Sequence, residues 1–138
     1  MTTLDPKLKA AARTVAAHAY VPYSDFPVGA ALKTADGRVF TGCNVENRSY
    51  PLGMCGERNA IGAAAAAGVR PGEIRELVIY MPGDRLFSPC GGCRQVIAEF
   101  LPADARVWAT NDGVSFKEWT AEELLPDGFS FDGLEPSV

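Results

Sequence analysis

The fold is decided by residues 55–93, which read CGERNAIGAAAAAGVRPGEIRELVIYMPGDRLFSPCGGC. Residues 57–67 favour a helix that ends at Gly68, because glycine readily takes the left-handed conformation that follows many helices. Residues 76–81 form a short, almost wholly apolar run, which indicates a strand buried on both faces. A second helix is predicted from about residue 92 to residue 100. The stretch therefore predicts a helix, a buried strand and a second helix, with a cysteine at the start of each helix.

The segments on either side complete an α/β fold. Asp5 and Pro6 indicate the N-cap and the first residue of a leading helix. Asp36-Gly37 predicts a two-residue hairpin turn with positive φ at both residues. A capping box at residues 120–123 opens a short last helix. Four further strands are predicted, at residues 28–34, 39–45, 106–110 and 114–119. We therefore predict a three-layer sandwich, in which helices cover a mixed sheet of about five strands.

Composition narrows the classes of function. The chain has 138 residues, and 13 basic and 17 acidic side chains give it a net charge of -4. We expect one domain, residues 1–138, and neither nucleic acid nor a membrane as a partner, because an acidic chain attracts neither. A secretory signal and an apolar run of about 20 residues are both missing, which predicts a cytoplasmic protein. Reducing conditions there favour metal binding or catalysis for the four cysteines.

Three cysteines carry the predicted chemistry. Cys55 opens the first helix of the central stretch, and Cys90 and Cys93 form a CxxC motif where the second helix starts. The free N–H groups and the dipole at helix starts favour thiolates, and three thiolates indicate a zinc site with a fourth position open for water. Glu57 is placed to move a proton of that water. His18, late on the leading helix, is expected at the surface.

Neighbouring residues suggest supporting roles and leave two alternatives. Arg58 and Arg94 are predicted to donate to the sulfurs and to offset the negative charge of three thiolates. One alternative is a redox-active CxxC motif, and the other is a structural zinc site with Cys43 as the fourth ligand. Strand alternation argues against the second alternative, because it turns Cys43 toward the core and places Asn44 and Glu46 together on the opposite side.

Taken together, these motifs make the sequence resemble the cytidine deaminases of the short, single-domain type. The likeness runs from Tyr20 to Pro126 and includes the zinc-deaminase pattern, a cysteine two residues before a glutamate and a later Pro-Cys-x-x-Cys. The motifs that carry it are Pro22-Tyr23-Ser24 with Phe26, Val28-Gly29-Ala30-Ala31-Leu32, Gly42-Cys43-Asn44-Val45-Glu46-Asn47, Ser49-Tyr50, Cys55-Gly56-Glu57-Arg58 and Ser88-Pro89-Cys90-Gly91-Gly92-Cys93-Arg94-Gln95. The resemblance implies a hydrolase that converts cytidine and deoxycytidine to uridine and deoxyuridine in pyrimidine salvage, with one Zn²⁺ per subunit.

The resemblance also implies roles for individual residues. It assigns zinc binding to Cys55, Cys90 and Cys93, proton transfer to Glu57, contact with the base to Phe26, hydrogen bonds with the ribose to Asn44 and Glu46, and support of the thiolates to Arg58. It implies a homotetramer in which Tyr50 and Phe129 complete the pocket of a neighbouring subunit. Gly56 stands where the family commonly has alanine. This departure predicts slightly more space beside the base and bears on the range of modified nucleosides accepted.

Three other functions remain alternatives at this point. A blasticidin-like deaminase of aminoacylnucleosides would share the fold, although residues 44–50 favour a free nucleoside. A polynucleotide-editing deaminase would need a basic groove, which the acidic composition disfavours. A non-catalytic zinc module would bind a protein partner. Release of ammonia from cytidine distinguishes the enzyme from the module.

Overall fold

The computed structural model describes residues 3–129, which form a mixed five-stranded sheet covered by helices. Along the chain the elements are α1 (Pro6–Ala16), β1 (Gly29–Thr34), β2 (Val39–Cys43), a 3-10 turn (Tyr50–Leu52), α2 (Gly56–Ala66), β3 (Ile74–Tyr80), α3 (Gly91–Phe100), β4 (Arg106–Thr110), β5 (Phe116–Thr120) and α4 (Ala121–Leu124). The predicted order of helices and strands is confirmed. The predicted domain also includes residues 1–2 and 130–138, which lie outside the described range.

The strands are arranged in the order β2-β1-β3-β4-β5, so β3 lies at the centre of the sheet. β3 and β4 are parallel, and the other neighbouring strands are antiparallel. Side chains of β3 alternate between two buried clusters: Val78 and Tyr80 pack with α1, whereas Leu77 and Ile79 pack with α2 and α3. The predicted burial of this strand on both faces and the three-layer arrangement are therefore confirmed.

A glycine on β2 brings α2 unusually close to the sheet. A Cβ atom on Gly42 would overlap the main-chain nitrogen of Ala60 and would lie 2.7 Å from the carbonyl oxygen of Gly56. The small side chains of Ala60 and Ala64, both fully buried, continue this contact along the helix. The start of α2, which carries the predicted catalytic residues, is thus fixed against the backbone of β2.

The hairpin between β1 and β2 differs from the prediction. Gly37 has a φ of +90°, whereas Asp36 is not among the residues with positive φ. The N–H of Gly37 donates to the carbonyl of Thr34, and the N–H of Thr34 donates to the carbonyl of Arg38. The connection is therefore a three-residue loop with a glycine in the left-handed region, and the predicted two-residue turn is wrong.

Other element boundaries are close to the predicted ones. Asp5 caps α1 through a hydrogen bond from the N–H of Lys7 to its side chain, with Pro6 as the first helical residue. The capping box of α4 is present, with Thr120 and Glu123 each accepting from the other's main-chain N–H. Among residues 3–129 no helix has both the length and the apolar character that a membrane span requires.

Candidate active site

The three predicted zinc ligands come together where two helices begin. Cys55 is the N-cap of α2, Cys90 is the N-cap of α3, and Cys93 lies in the first turn of α3. Their sulfur atoms all lie within 4.8 Å of one another, and the Sγ atoms of Cys55 and Cys90 are 3.8 Å apart. Residues 35 positions apart in the chain are therefore joined in one cluster of three soft donors.

The electrostatics of this cluster favour a thiolate. A hydrogen bond with Cys93, assisted by Arg58 and Cys90, lowers the pKa of Cys55 to about 5. The same hydrogen bond, together with burial, raises the pKa of Cys93, because a thiol that donates to a thiolate holds its proton more firmly. Three sulfurs at two helix starts, one of them already ionised at neutral pH, fit the donor set that zinc prefers. The residues present therefore fit a zinc ion.

The two arginines next to the cysteines have different contacts. The Nη2 atom of Arg58 lies 3.5 Å from Cys55 Sγ and 3.4 Å from the carbonyl oxygen of Gly53. This contact agrees with the expectation that Arg58 supports the thiolates. Arg94 donates instead to two main-chain carbonyls, those of Pro89 and Leu124, at 2.8 and 2.9 Å. The expectation that Arg94 donates to the sulfurs is wrong, because its guanidinium ties the loop before α3 to the end of α4.

Glu57 occupies the wall of a cavity beside the sulfurs. Its side chain is only 6% exposed, and burial raises the pKa of its carboxyl group. A carboxyl group in this setting exchanges a proton more readily near neutral pH than an exposed glutamate does. Glu57 is the second residue of α2, two positions after the N-cap cysteine.

The cavity is about 150 Å³ in volume and is mostly apolar. It is lined by Phe26, Val28, Asn44, Cys55, Gly56, Glu57, Ile79, Met81, Phe87, Ser88, Pro89 and Cys90. The rings of Phe26 and Phe87 meet edge to face, with their centroids 5.9 Å apart. An apolar cavity with a few polar groups in its lining suits a flat heteroaromatic ring.

Phe87, Ile79 and Met81 were missed by the sequence reasoning. Ile79 belongs to β3 and Met81 follows that strand directly, so their apolar character pointed only to the core. Phe87 lies on the loop from β3 to α3, two residues before Pro89. Its large ring in a loop next to the CxxC motif was the signal that could have identified it, because apolar rings in loops seldom serve the core alone.

Asn44 and Glu46 hold the segment that carries Phe26. Asn44 accepts a hydrogen bond from the N–H of Val28 at 2.9 Å and donates to the carbonyl of Phe26 at 2.9 Å. Glu46 accepts, at its Oε1 atom, from the N–H groups of Tyr23 and Ser24, both at 3.1 Å. Hydrogen bonds from Ser24 and from the main chain lower the pKa of Glu46 below its ordinary value.

The strand alternation used to pair Asn44 with Glu46 does not extend to these residues. β2 ends at Cys43, so Asn44 and Glu46 lie on the segment that follows it. Asn44 lines the cavity described above, whereas Glu46 lines a second depression of about 340 Å³ with Tyr23, Ser24, Asn47, Tyr50 and Gly53. Cys43 is half-buried and is not part of the sulfur cluster.

Gly56 contributes main chain to the cavity, but its missing side chain faces the sheet. A Cβ atom on Gly56 would lie 3.3 Å from the carbonyl oxygen of Val28 and 3.4 Å from that of Gly42. A Cβ atom there would therefore contact main chain at nearly ordinary distances. The expectation that Gly56 gives more room beside a base has no support in this geometry.

Tyr50, Phe129 and His18 are exposed. Tyr50 is 76% exposed and meets Tyr23 edge to face at 6.2 Å, whereas Phe129 is 68% exposed near the end of the described residues. Neither Tyr50 nor Phe129 lines the cavity that holds Glu57. The exposure of His18 agrees with its predicted surface position.

A comparison with known proteins shows the family to which the chain belongs. Residues 2–109 match the family described as the cytidine and deoxycytidylate deaminase zinc-binding region. The chain belongs to this family. Curated members include a cytidine deaminase of Sporosarcina psychrophila, which is 44% identical over 128 residues, or 93% of each chain.

Solved structures of the family have the same fold. A cytidine deaminase from Burkholderia pseudomallei is 45% identical, covers 92% of this chain and all of its own, and superimposes with a TM-score of 0.88. A cytidine deaminase from Mycobacterium tuberculosis is 38% identical, with 94% and 100% of the two chains covered and a TM-score of 0.77. The predicted fold class and the resemblance stated from the sequence are therefore confirmed.

Proposed function

We propose that this chain catalyses the zinc-dependent hydrolytic deamination of cytidine and deoxycytidine to uridine and deoxyuridine, with release of ammonia. The observation that carries the proposal is the meeting of three cysteine sulfurs within 4.8 Å beside a buried glutamate in the wall of an apolar cavity. Membership of the deaminase family indicates that this arrangement serves a deamination reaction.

In this mechanism Cys55, Cys90 and Cys93 hold the metal. When bound there, zinc is the Lewis acid that activates a water molecule for attack on ring carbon C4. Arg58 offsets part of the negative charge of the thiolates through its contact with Cys55.

Glu57 moves the protons. Its carboxylate accepts a proton from the attacking water, holds it on a carboxyl oxygen and delivers it to ring nitrogen N3. It then takes the second proton of that water and gives it to the departing amino group, which leaves as ammonia. The raised pKa suits this exchange, because the carboxyl group must both gain and lose a proton in each turnover.

Further residues of the cavity, together with Glu46 from the second depression, select the substrate. Phe26 and Phe87 provide aromatic surface for the cytosine ring. Asn44 and Glu46 each retain hydrogen-bonding capacity besides their bonds to residues 23–28, and we assign that capacity to the hydroxyl groups of the ribose. Gly56 contributes its main chain to the same wall.

We further propose that the working enzyme is a cytoplasmic homotetramer of single-domain subunits, residues 1–138, that serves pyrimidine salvage. Exposed aromatic side chains at Tyr50 and Phe129 support the assembly, because contact between subunits would remove their apolar surface from water. In this arrangement the two rings complete the pocket of a neighbouring subunit.

The test is the activity of Glu57→Gln compared with the unchanged protein. Conversion of cytidine and deoxycytidine is followed by ammonia release, with zinc content measured on the same samples. We expect zinc to stay bound while kcat falls by several orders of magnitude, because the amide cannot carry the proton. Near-normal turnover by the variant would refute the role of Glu57. Unchanged protein that holds zinc and releases no ammonia from cytidine, deoxycytidine or blasticidin would favour a non-catalytic zinc module.

A further inference from the structure

Asn111 is a buried polar residue that has no role in the mechanism above. It follows β4 directly and is only 2% exposed. The N–H of Gly113 donates to its Oδ1 atom at 2.8 Å, which leaves the Nδ2 group to donate to the carbonyl oxygen of Arg85 at 3.1 Å. Burying a carboxamide is costly unless both of its ends are bonded, and here both ends are bonded.

Arg85, which accepts this hydrogen bond, belongs to the loop that forms one wall of the cavity. This loop, residues 81–90, connects β3 to α3 and contributes Met81, Phe87, Ser88, Pro89 and Cys90 to the cavity. The loops after β3 and β4 lie side by side, because the two strands are parallel and their carboxyl ends meet at one edge of the sheet.

Several hydrogen bonds join the two loops, and Asn111 makes the one nearest to Phe87. The N–H of Met81 donates to the carbonyl of Thr110 at 3.0 Å. Asp112 accepts from the N–H of Gly83 at 2.9 Å and donates its own N–H to the carbonyl of Gly83 at 3.2 Å. The bond from Asn111 reaches two residues further along the loop, to Arg85, and two residues before Phe87. Beyond it, the N–H of Phe87 lies 3.1 Å from the sulfur of Met81.

We propose that Asn111 is a positioning residue for substrate binding: by holding the carbonyl of Arg85 it fixes the ring of Phe87 against that of Phe26. The inference rests on the proposed function, since it concerns the wall of the same cavity. Cys90 is held separately, because Arg94 donates to the carbonyl of Pro89 directly before it. Loss of the Asn111 bond therefore changes nucleoside binding and leaves the metal ligands in place.

The test compares Asn111→Leu with Thr34→Val. Leucine keeps the branched shape of the Asn111 side chain and removes both its donor to Arg85 and its acceptor for the N–H of Gly113. Thr34 is a matched control, because it is also a buried polar residue, 3% exposed, whose hydroxyl bonds a loop, here at Arg38 and away from the cavity. We expect Asn111→Leu to raise KM for cytidine roughly 3- to 10-fold, with kcat within about twofold and zinc content unchanged. Thr34→Val should lower Tm and leave KM unchanged.

A double-mutant cycle with Phe87→Ala tests whether Asn111 changes KM through the position of Phe87. If Asn111 acts through Phe87, the KM effect of Asn111→Leu largely disappears in the Phe87→Ala background. Full persistence of the effect there overturns the proposal, and so does loss of zinc or an equal fall in kcat and kcat/KM. An unchanged KM with a lower Tm, as in the control, also overturns it, because Asn111 would then serve stability alone.

Hydrogen exchange provides a readout that needs no activity. Amide exchange in residues 83–90 should become faster in Asn111→Leu and stay unchanged in Thr34→Val. If the leucine variant does not fold, Asn111→Ser replaces it, because its hydroxyl is too short to reach Arg85. Unchanged exchange in this loop refutes the inference. A wild-type protein without activity on cytidine, but with faster exchange in the variant, refutes the proposed substrate and leaves the holding role of Asn111 supported.

Discussion

Replacing Gly42 by alanine should displace the helix that carries Cys55 and Glu57. The new Cβ atom would overlap the nitrogen of Ala60 and would lie 2.7 Å from the carbonyl oxygen of Gly56, where ordinary contacts are 3.4 to 4 Å. Both contacts are with main chain, so no side chain can rotate away, and α2 must retreat by about 1 Å. Overpacking of this kind costs typically ~1–3 kcal/mol of unfolding free energy, and we expect the upper end for backbone against backbone.

The displacement should also reduce catalysis, because Glu57 and Cys55 move with the start of α2. A misplacement of about 1 Å can cost on the order of 100-fold in rate. Urea unfolding gives the loss of stability, and kcat/KM on cytidine gives the loss of activity. The matched control is Gly62→Ala, on the exposed side of the same helix, where a Cβ atom meets nothing within 4 Å. That variant should gain up to ~1 kcal/mol from helix propensity and keep its activity.

Equal stability and equal activity of Gly42→Ala and the unchanged protein would together refute this reasoning, since they would mean that α2 and β2 are less tightly packed than the structure shows. A stable but inactive variant would have a different meaning. In that case the packing relaxes without loss of free energy, and only the position of the catalytic residues changes.

Two further predictions concern Gly56 and Glu123. Gly56→Ala should leave the relative kcat/KM for cytidine and a 5-substituted cytidine within about twofold of the unchanged protein, because the nearest neighbours of the added methyl group would be the main-chain oxygens of Val28 and Gly42. A selective loss of the 5-substituted substrate would contradict that placement. Hydrogen bonds from Thr120 lower the pKa of Glu123 below its unfolded value, so its contribution to stability is present above the ordinary glutamate pKa and is lost as the pH falls through the lowered value. The difference in unfolding free energy between the unchanged protein and Glu123→Gln should therefore shrink in acid, and a difference independent of pH would exclude this contribution.

The features that could be predicted from the sequence are those that short stretches of chain determine. Cys55 and Cys90 were placed at helix starts because the predicted helices at residues 57–67 and 92–100 begin two residues after them, and the structure places both as N-caps. The apolar run that became β3 indicated burial on two faces, which requires helices on both sides of the sheet. Once both helix starts lie at the same edge of the sheet, the meeting of the sulfurs follows.

The features that could not be predicted depend on which loops meet in space. Nothing in the local sequence of Asn111 shows that it lies beside Arg85, because that contact follows from the parallel pairing of β3 and β4. The direction of the missing Gly56 side chain depends on the close approach of α2 to β2. Asp36-Gly37 indicated a turn correctly but not its length, since the hydroxyl of Thr34 bonds Asp36 and the main chain of Arg38 and favours the longer loop.

The bonds from Asn44 and Glu46 to residues 23–28 limit how this enzyme can acquire new sugar specificity. Each side chain that we assign to the ribose also supports the segment that places Phe26 in the cavity. A substitution chosen to accept an altered sugar therefore also weakens binding of the base. In libraries that vary only Asn44 or Glu46, most variants will lose binding of the sugar and of the base together. Directed evolution toward sugar-modified nucleosides should instead randomise residues 23–28 along with these two positions, so that other hydrogen bonds can hold this segment in place.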